Sequence, residues 1–238
     1  MAKKIIYTTL IILFLISLAL WSPWEEYDIS FARIFGVKEI EHLSGLELFS
    51  LKGELELYLD DEYKGSITPE GGSFVLDDIE KGNHILRISR KSDNPNEYFE
   101  VVKSVNFVEN LKVVLAYELG PSEEFSQGHI FYARKNSIAN PDSTTAMLNI
   151  NCQGCEEANV FLDEIEIGKT PVEGYQLDLG KVHNLKLEKQ NYEDLEFTIL
   201  PDSQEDRDKL KGIELFIDVN LFLIPIEIEQ ETVINNTE

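Results

Sequence analysis

The chain has 238 residues, with 21 Lys and Arg against 44 Asp and Glu, for a net charge of −23. So acidic a protein is repelled by phosphate backbones, which argues against a nucleic-acid partner. Hydrophobic residues at 43% predict a real core, and two cysteines, Cys152 and Cys155, exclude both a disulfide-stapled scaffold and a four-cysteine zinc site.

Met1-Ala2-Lys3-Lys4 is followed by the uncharged apolar run Ile5 to Trp21. As a helix, seventeen residues would span roughly 25 Å, which lysine snorkelling extends towards the roughly 30 Å hydrocarbon layer. Trp21 and Trp24 suit the far interface, and Glu25, Glu26 and Asp28 follow them. Residues 1–24 are thus read as a cytoplasmic tip and transmembrane signal anchor, with the remainder outside the cytoplasm. A cleaved signal peptide competes, since Ser17-Leu18-Ala19 resembles a cleavage site, although Leu20 and Trp21 continue the apolar run. Residues 25–45 are read as a stalk or packing segment.

Period-two alternation begins at Leu46. Leu55, Leu57 and Leu59 alternate with Glu54, Glu56 and Tyr58, the pattern of a half-buried strand. Leu111 to Leu119 and Ile213 to Leu223 alternate likewise, and nothing after Trp24 carries a long helical stripe. The spacing predicts an all-β chain. It also repeats at about one hundred residues: Tyr58-Leu-Asp60 with Gly65 and Thr68-Pro69 matches Phe161-Leu-Asp163 with Gly168 and Thr170-Pro171. His84 and His183 open the next matching strands. The expected organisation is a first β-sandwich over 46–119, a linker over 120–144, a second sandwich over 145–231 and a tail over 232–238.

These repeats resemble the PEGA domain family, in which an apolar-aromatic-Asp-Gly strand end precedes Gly-x-Thr-Pro and a Gly-x-His strand. The second copy keeps Gly168-Lys-Thr-Pro171, whereas the first inserts a residue in Gly65-Ser-Ile-Thr-Pro69 but keeps Gly82-Asn-His84. The naming motif is degraded to Ser50-Leu-Lys-Gly53 and Cys152-Gln-Gly-Cys155. The resemblance covers about two thirds of the chain. It implies two tandem PEGA-like β-sandwiches of a kind found in surface and envelope proteins, with no general catalytic activity and no known ligand.

Residues that could carry chemistry are few. Gly168-Lys169-Thr170 ends like a P-loop, but Asp163 stands where the first glycine belongs and Pro171 disfavours the helix. It reads as a turn. Cys152 and Cys155 lie between strand-like segments and are read as a loop disulfide in an oxidising compartment; free thiols, redox and metal roles are the alternatives. His84 and His183 share parity with apolar neighbours and are read as structural, hydrogen-bonded to a turn. His42 and His129 have no recognisable partners. Asp60-Asp61-Glu62, Asp77-Asp78 and Glu123-Glu124 read as solvated surface, lacking a calcium-binding ladder. Phe125, Phe131 and Tyr132, if exposed on one face, would favour carbohydrate or protein contact. Asn235-Asn-Thr237 fits a glycosylation sequon.

The sequence therefore predicts a single-pass, extracytoplasmic, non-enzymatic protein without catalytic residues, metal or cofactor. Its partners would be the membrane and an envelope protein or cell-wall polymer. The repeat-defining residues, Asp60, Gly65, Thr68, Pro69, His84, Asp163, Gly168, Thr170, Pro171 and His183, are assigned structural roles. The alternatives are a ligand-binding or sensor ectodomain and a cell-wall hydrolase.

Overall fold

Alternating apolar residues cannot bury one face of a strand without a second sheet to cover it, and the repeated pattern demands that cover twice. The computed structural model describes residues 43–94, 96–135 and 143–225; the expected anchor, most of the stalk, His42 and the sequon lie outside the described residues. Among the described residues no helix is long and apolar enough to cross a membrane.

The first half supplies β1 (Ser44–Lys52), β2 (Leu55–Leu59), β3 (Glu62–Ile67), β4 (Phe74–Ile79), β5 (Gly82–Arg90), β6 (Val101–Phe107) and β7 (Lys112–Glu118). After β8 (Gln127–Lys135), the second half supplies β9 (Thr145–Cys152), β10 (Asn159–Leu162), β11 (Ile165–Lys169), β12 (Val172–Asp178), β13 (His183–Glu188), β14 (Leu195–Ile199) and β15 (Ile213–Asn220). The short helix α1 (Gln204–Asp208) precedes β15. The described strands form three sheets. One has seven strands in the order β12-β9-β15-β8-β7-β1-β4, and two have four, β3-β2-β5-β6 and β11-β10-β13-β14.

Both halves distribute their strands alike. The first, fourth and seventh strand of each half enter the seven-stranded sheet, and the other four form a separate sheet. In each half the first and last strands pair in parallel, β1 with β7 and β9 with β15. Strand β8 runs antiparallel to both β7 and β15 and sits between them.

Register decides which face each small sheet covers. Leu115 pairs with Ile130 and Val114 with Phe131, which in turn pairs with Ile217. Successive residues of β8 point to opposite faces. Ile130 and Tyr132 enter one core with Leu48, Leu57, Leu86, Leu115 and Phe107. Ala133, with Phe131 packed against it, enters the other with Leu148, Val160, Leu185, Leu215 and Ile217. The two four-stranded sheets therefore lie on opposite faces of the shared sheet, related by a pseudo-twofold axis along β8.

This arrangement corrects the expected organisation. The segment assigned to a linker, 120–144, contains β8, the middle strand of the shared sheet. The two sandwiches are joined through one continuous sheet rather than strung in tandem, and the first begins at Ser44. An ion pair reinforces the junction: Lys103 of β6 meets Asp218 of β15, whose side chain is only 15% exposed. Phe216 stacks on Tyr132 with ring centroids 5.3 Å apart, and Arg134 lies over the same Phe216 ring. Tyr132 is buried, Phe131 half-buried, and Phe125 packs on Phe222, so these aromatics form no exposed cluster.

Sharing β8 predicts that the two halves unfold together. Ile130→Ala, which touches only the first core, is expected to cost about 2–5 kcal/mol. Hydrogen exchange should report the loss in β9 and β15 as well as in β1 and β7. A fragment covering 43–120, which lacks β8, is expected to show no cooperative transition by itself. Independent transitions for the two halves would contradict this.

Candidate functional site

The repeat residues assemble into one device, built twice. Each begins at a two-residue hairpin turn with both residues in left-handed conformation: Asp60 (φ 51°) and Asp61 (φ 64°) between β2 and β3, Asp163 (φ 49°) and Glu164 (φ 68°) between β10 and β11. This is the turn geometry whose twist matches paired strands, and Asp tolerates it better than most residues. From the turn, Asp60 Oδ1 accepts the Ile85 backbone N–H (2.8 Å) and Oδ2 meets His84 Nδ1 (2.6 Å). Asp163 does the same with Asn184 N–H (2.9 Å) and His183 Nδ1 (2.9 Å). The far nitrogen of each ring reaches a backbone carbonyl, Glu80 O or Asp178 O, both at 2.8 Å. Each ring nitrogen thus lies within hydrogen-bond distance of a turn carboxylate or a backbone carbonyl, so every polar atom of each histidine is committed to the fold.

The copies differ where their sequences do. Lys181, which stands where the first copy has Gly82, places Nζ 2.5 Å from Asp163 Oδ2. The Lys181 ammonium, then the Asn184 amide and the His183 ring, hold the Asp163 carboxyl down at about 2. Asp60 is also lowered, first by His84 and then by the Ile85 amide.

Gly65 and Gly168 each stand at a register shift, where β3 and β11 carry an extra residue against β2 and β10. Their φ values, 155° and 144°, lie in the region that favours glycine. At Gly65 a Cβ would also lie 2.5 Å from the Phe74 ring. The glycines mark β-bulges. Thr170 is fully buried: its Oγ1 donates to Cys155 O (3.2 Å) and accepts from Ala158 N–H (3.0 Å). Pro171 follows it directly into β12. Cys152 and Cys155 are bonded to one another, buried, and members of the second core. The first copy uses its Thr differently, since Thr68 is exposed and its carbonyl accepts Gly71 N–H, with Pro69 opening a 3₁₀ turn.

A cavity of about 620 Å³ is the feature that the sequence did not announce. Its floor is the face of β1, β7 and β8 opposite the first core, carrying Glu47, Phe49, Val114, His129 and Phe131. Its wall is the segment from Ile199 to Leu210 in the second half. Arg207, buried at 7% exposure, braces that wall by donating to Leu179 O (3.1 Å), Pro201 O (2.7 Å) and Asp202 O (2.7 Å). Ser203 caps α1 by accepting Asp206 N–H.

His129 is 8% exposed, its ring stacked on Phe197 with centroids 3.7 Å apart. Burial pushes its pKa down to about 4, so the imidazole is neutral at pH 7. Among the described residues nothing hydrogen-bonds this ring. The cavity went unpredicted because its floor and wall come from different repeats. The one local sign was the run Ile130-Phe-Tyr-Ala133, apolar on both parities.

Two tests follow from the clamp and the loop. A carboxyl whose folded pKa is depressed stabilises above its unfolded pKa and loses that contribution as pH falls through its folded value. Stability should therefore fall between about pH 4 and pH 2, and Asp163→Asn, by turning a donor towards His183, should cost about 1–3 kcal/mol at pH 7 while flattening that acid slope. Urea titrations across pH measure both. The disulfide spans a separation of three residues, so reducing it removes little loop entropy and is expected to cost about 2 kcal/mol or less. Urea titration with and without reductant measures that cost.

Comparison with known proteins is sparse. No curated protein matches this sequence. Among solved structures, the Bacillus anthracis TIE protein is similar at 17% identity over 68% of this chain and 32% of that one, with a TM-score of 0.25. The present chain thus spans about a third of that structure's length. A PEGA domain is found at residues 154–209, from the loop after Cys152 through β10–β14 and into α1.

Proposed function

We propose that this protein is a non-enzymatic, membrane-anchored extracytoplasmic scaffold whose two PEGA-like sandwiches contact an envelope protein or cell-wall polymer. The observation that carries the reading is the PEGA domain at 154–209, a module type found in surface and envelope proteins. The recurrence of its strand order in residues 44–118 supports a second, more diverged copy. The apolar run Ile5 to Trp21 behind Lys3 and Lys4 supports an anchor with the N-terminus inside. A buried disulfide suits an oxidising compartment. Support for a scaffold rather than a catalyst comes from the histidine clamps, where each imidazole is spent on a turn carboxylate and a backbone carbonyl.

Two measurements test it. Protease added to intact, wall-stripped cells expressing the full chain should remove everything beyond about residue 24 and leave the N-terminus protected. Full protection of residues 43–225 would defeat the extracytoplasmic reading. Purified wall sacculi should retain the full chain in sedimentation, or crosslinking in cells should yield a discrete envelope-protein adduct. Failure of both would defeat the scaffold reading while leaving export untouched.

A further inference from the structure

We propose that the cavity over β1, β7 and β8 binds an amphipathic primary amine, a ligand whose ammonium sits at Glu47 and whose hydrogen-bonding far end sits at His129. The proposal goes beyond the scaffold reading and holds wherever the chain resides.

Four observations carry it. First, the volume of about 620 Å³ lies in the range of small-molecule sites, and Phe49, Val114 and Phe131 give it an apolar floor. Second, His129 is more than nine-tenths buried and lines this cavity with no hydrogen-bond partner among the described residues. Its ring nitrogens are not among the fully buried unpartnered atoms, so they remain reachable from the cavity and offer a ligand hydrogen bonds that the protein does not use. The neutral ring can accept one hydrogen bond and donate another.

Third, the charges lining the site are unequally committed. Lys112 is paired with Asp77 (3.4 Å) and Lys209 with Asp206 (2.6 Å). Glu47, half-buried in the floor, has no ion pair or hydrogen bond from its side chain among the described residues. An anion would find both lysines engaged, whereas a cation finds a free carboxylate in a protein of charge −23.

Fourth, the register sets the ligand's length. Glu47 pairs with Val114 and Val114 with Phe131, while His129 lies two residues along β8. Two strand spacings across and two residues along separate the Glu47 and His129 positions by about 12 Å. Ammonium and hydroxyl should stand about that far apart, joined by an apolar body lying over Val114.

The test uses the full chain, isotope-labelled, with three probes of one shape. 4-(4-Aminobutyl)phenol carries both groups, 4-phenylbutylamine lacks the hydroxyl, and 4-(4-hydroxybutyl)phenol lacks the charge. Amide shifts of Val114, His129 and Phe131 report binding at this site alone. The aminophenol is expected to bind most tightly, with about fivefold loss on removing the hydroxyl and about tenfold on removing the charge. Glu47→Gln should erase only the preference for the amine. His129→Phe, which keeps a ring to stack on Phe197, should erase only the preference for the hydroxyl. Unchanged urea midpoints verify that each variant folds, and for one that does not, Glu47→Asp or His129→Gln replaces it. Equal affinity for all three probes, or no saturable shift at these amides, overturns the proposal.

Discussion

Strand β8 is the constraint on which everything else rests. Its two faces serve different cores, with Ile130 and Tyr132 on one side and Phe131 and Ala133 on the other. A strand buried on both sides needs a continuous apolar run, because either parity facing water would forfeit one core. Both of its edges are hydrogen-bonded, to β7 on one side and over a longer stretch to β15 on the other. Displacing it would open both sandwiches at once. Against a typical stability of about 5–15 kcal/mol, the loss of even two of its buried side chains would be decisive.

The same strand explains why half of each sheet face is bare. Because the two small sheets cover opposite faces, the face of β1 and β7 turned away from the first core has no sheet over it among the described residues. The second half fills part of that space with the segment from Ile199 to Leu210, held by Arg207 on three backbone carbonyls. What remains is the cavity. It is thus a by-product of how two copies of one topology share a strand, and neither copy contains it.

The turn clamps answer a different need. A two-residue hairpin with both residues left-handed is tight but carries polar groups at its tip. Asp60 and Asp163 use their carboxylates to tie the neighbouring strand's histidine and the amide that follows it, so that β2–β3 and β10–β11 are registered against β5 and β13. The second clamp adds Lys181, which lies on its solvent side at 60% exposure and lowers the Asp163 carboxyl further. An exposed ammonium contributes little by itself, and the buried His183 carries more of the fixation.

What the sequence determined alone is what local physics governs. Strand class is legible from Leu55-Glu-Leu-Tyr-Leu59 and from Ile213 to Val219, because side chains alternate faces with period two. The repeat is legible from Asp60 and Asp163, Gly65 and Gly168, His84 and His183, because a left-handed turn and a bulge admit few residue types. Parity placed both histidines at the core-facing edge of their strands, and the structure supplied the turn carboxylates they meet. Tertiary structure alone decided that Gln127–Lys135 is a shared strand and not a linker, since an apolar run on both parities says that a segment is buried but not between what. It also decided that Arg207 is buried, that His129 faces a cavity, and that the Glu47 side chain has no partner among the described residues. The last two facts depend on β1, β7 and β8 meeting the segment from Ile199 to Leu210, and contact at such sequence distance leaves no local pattern to read.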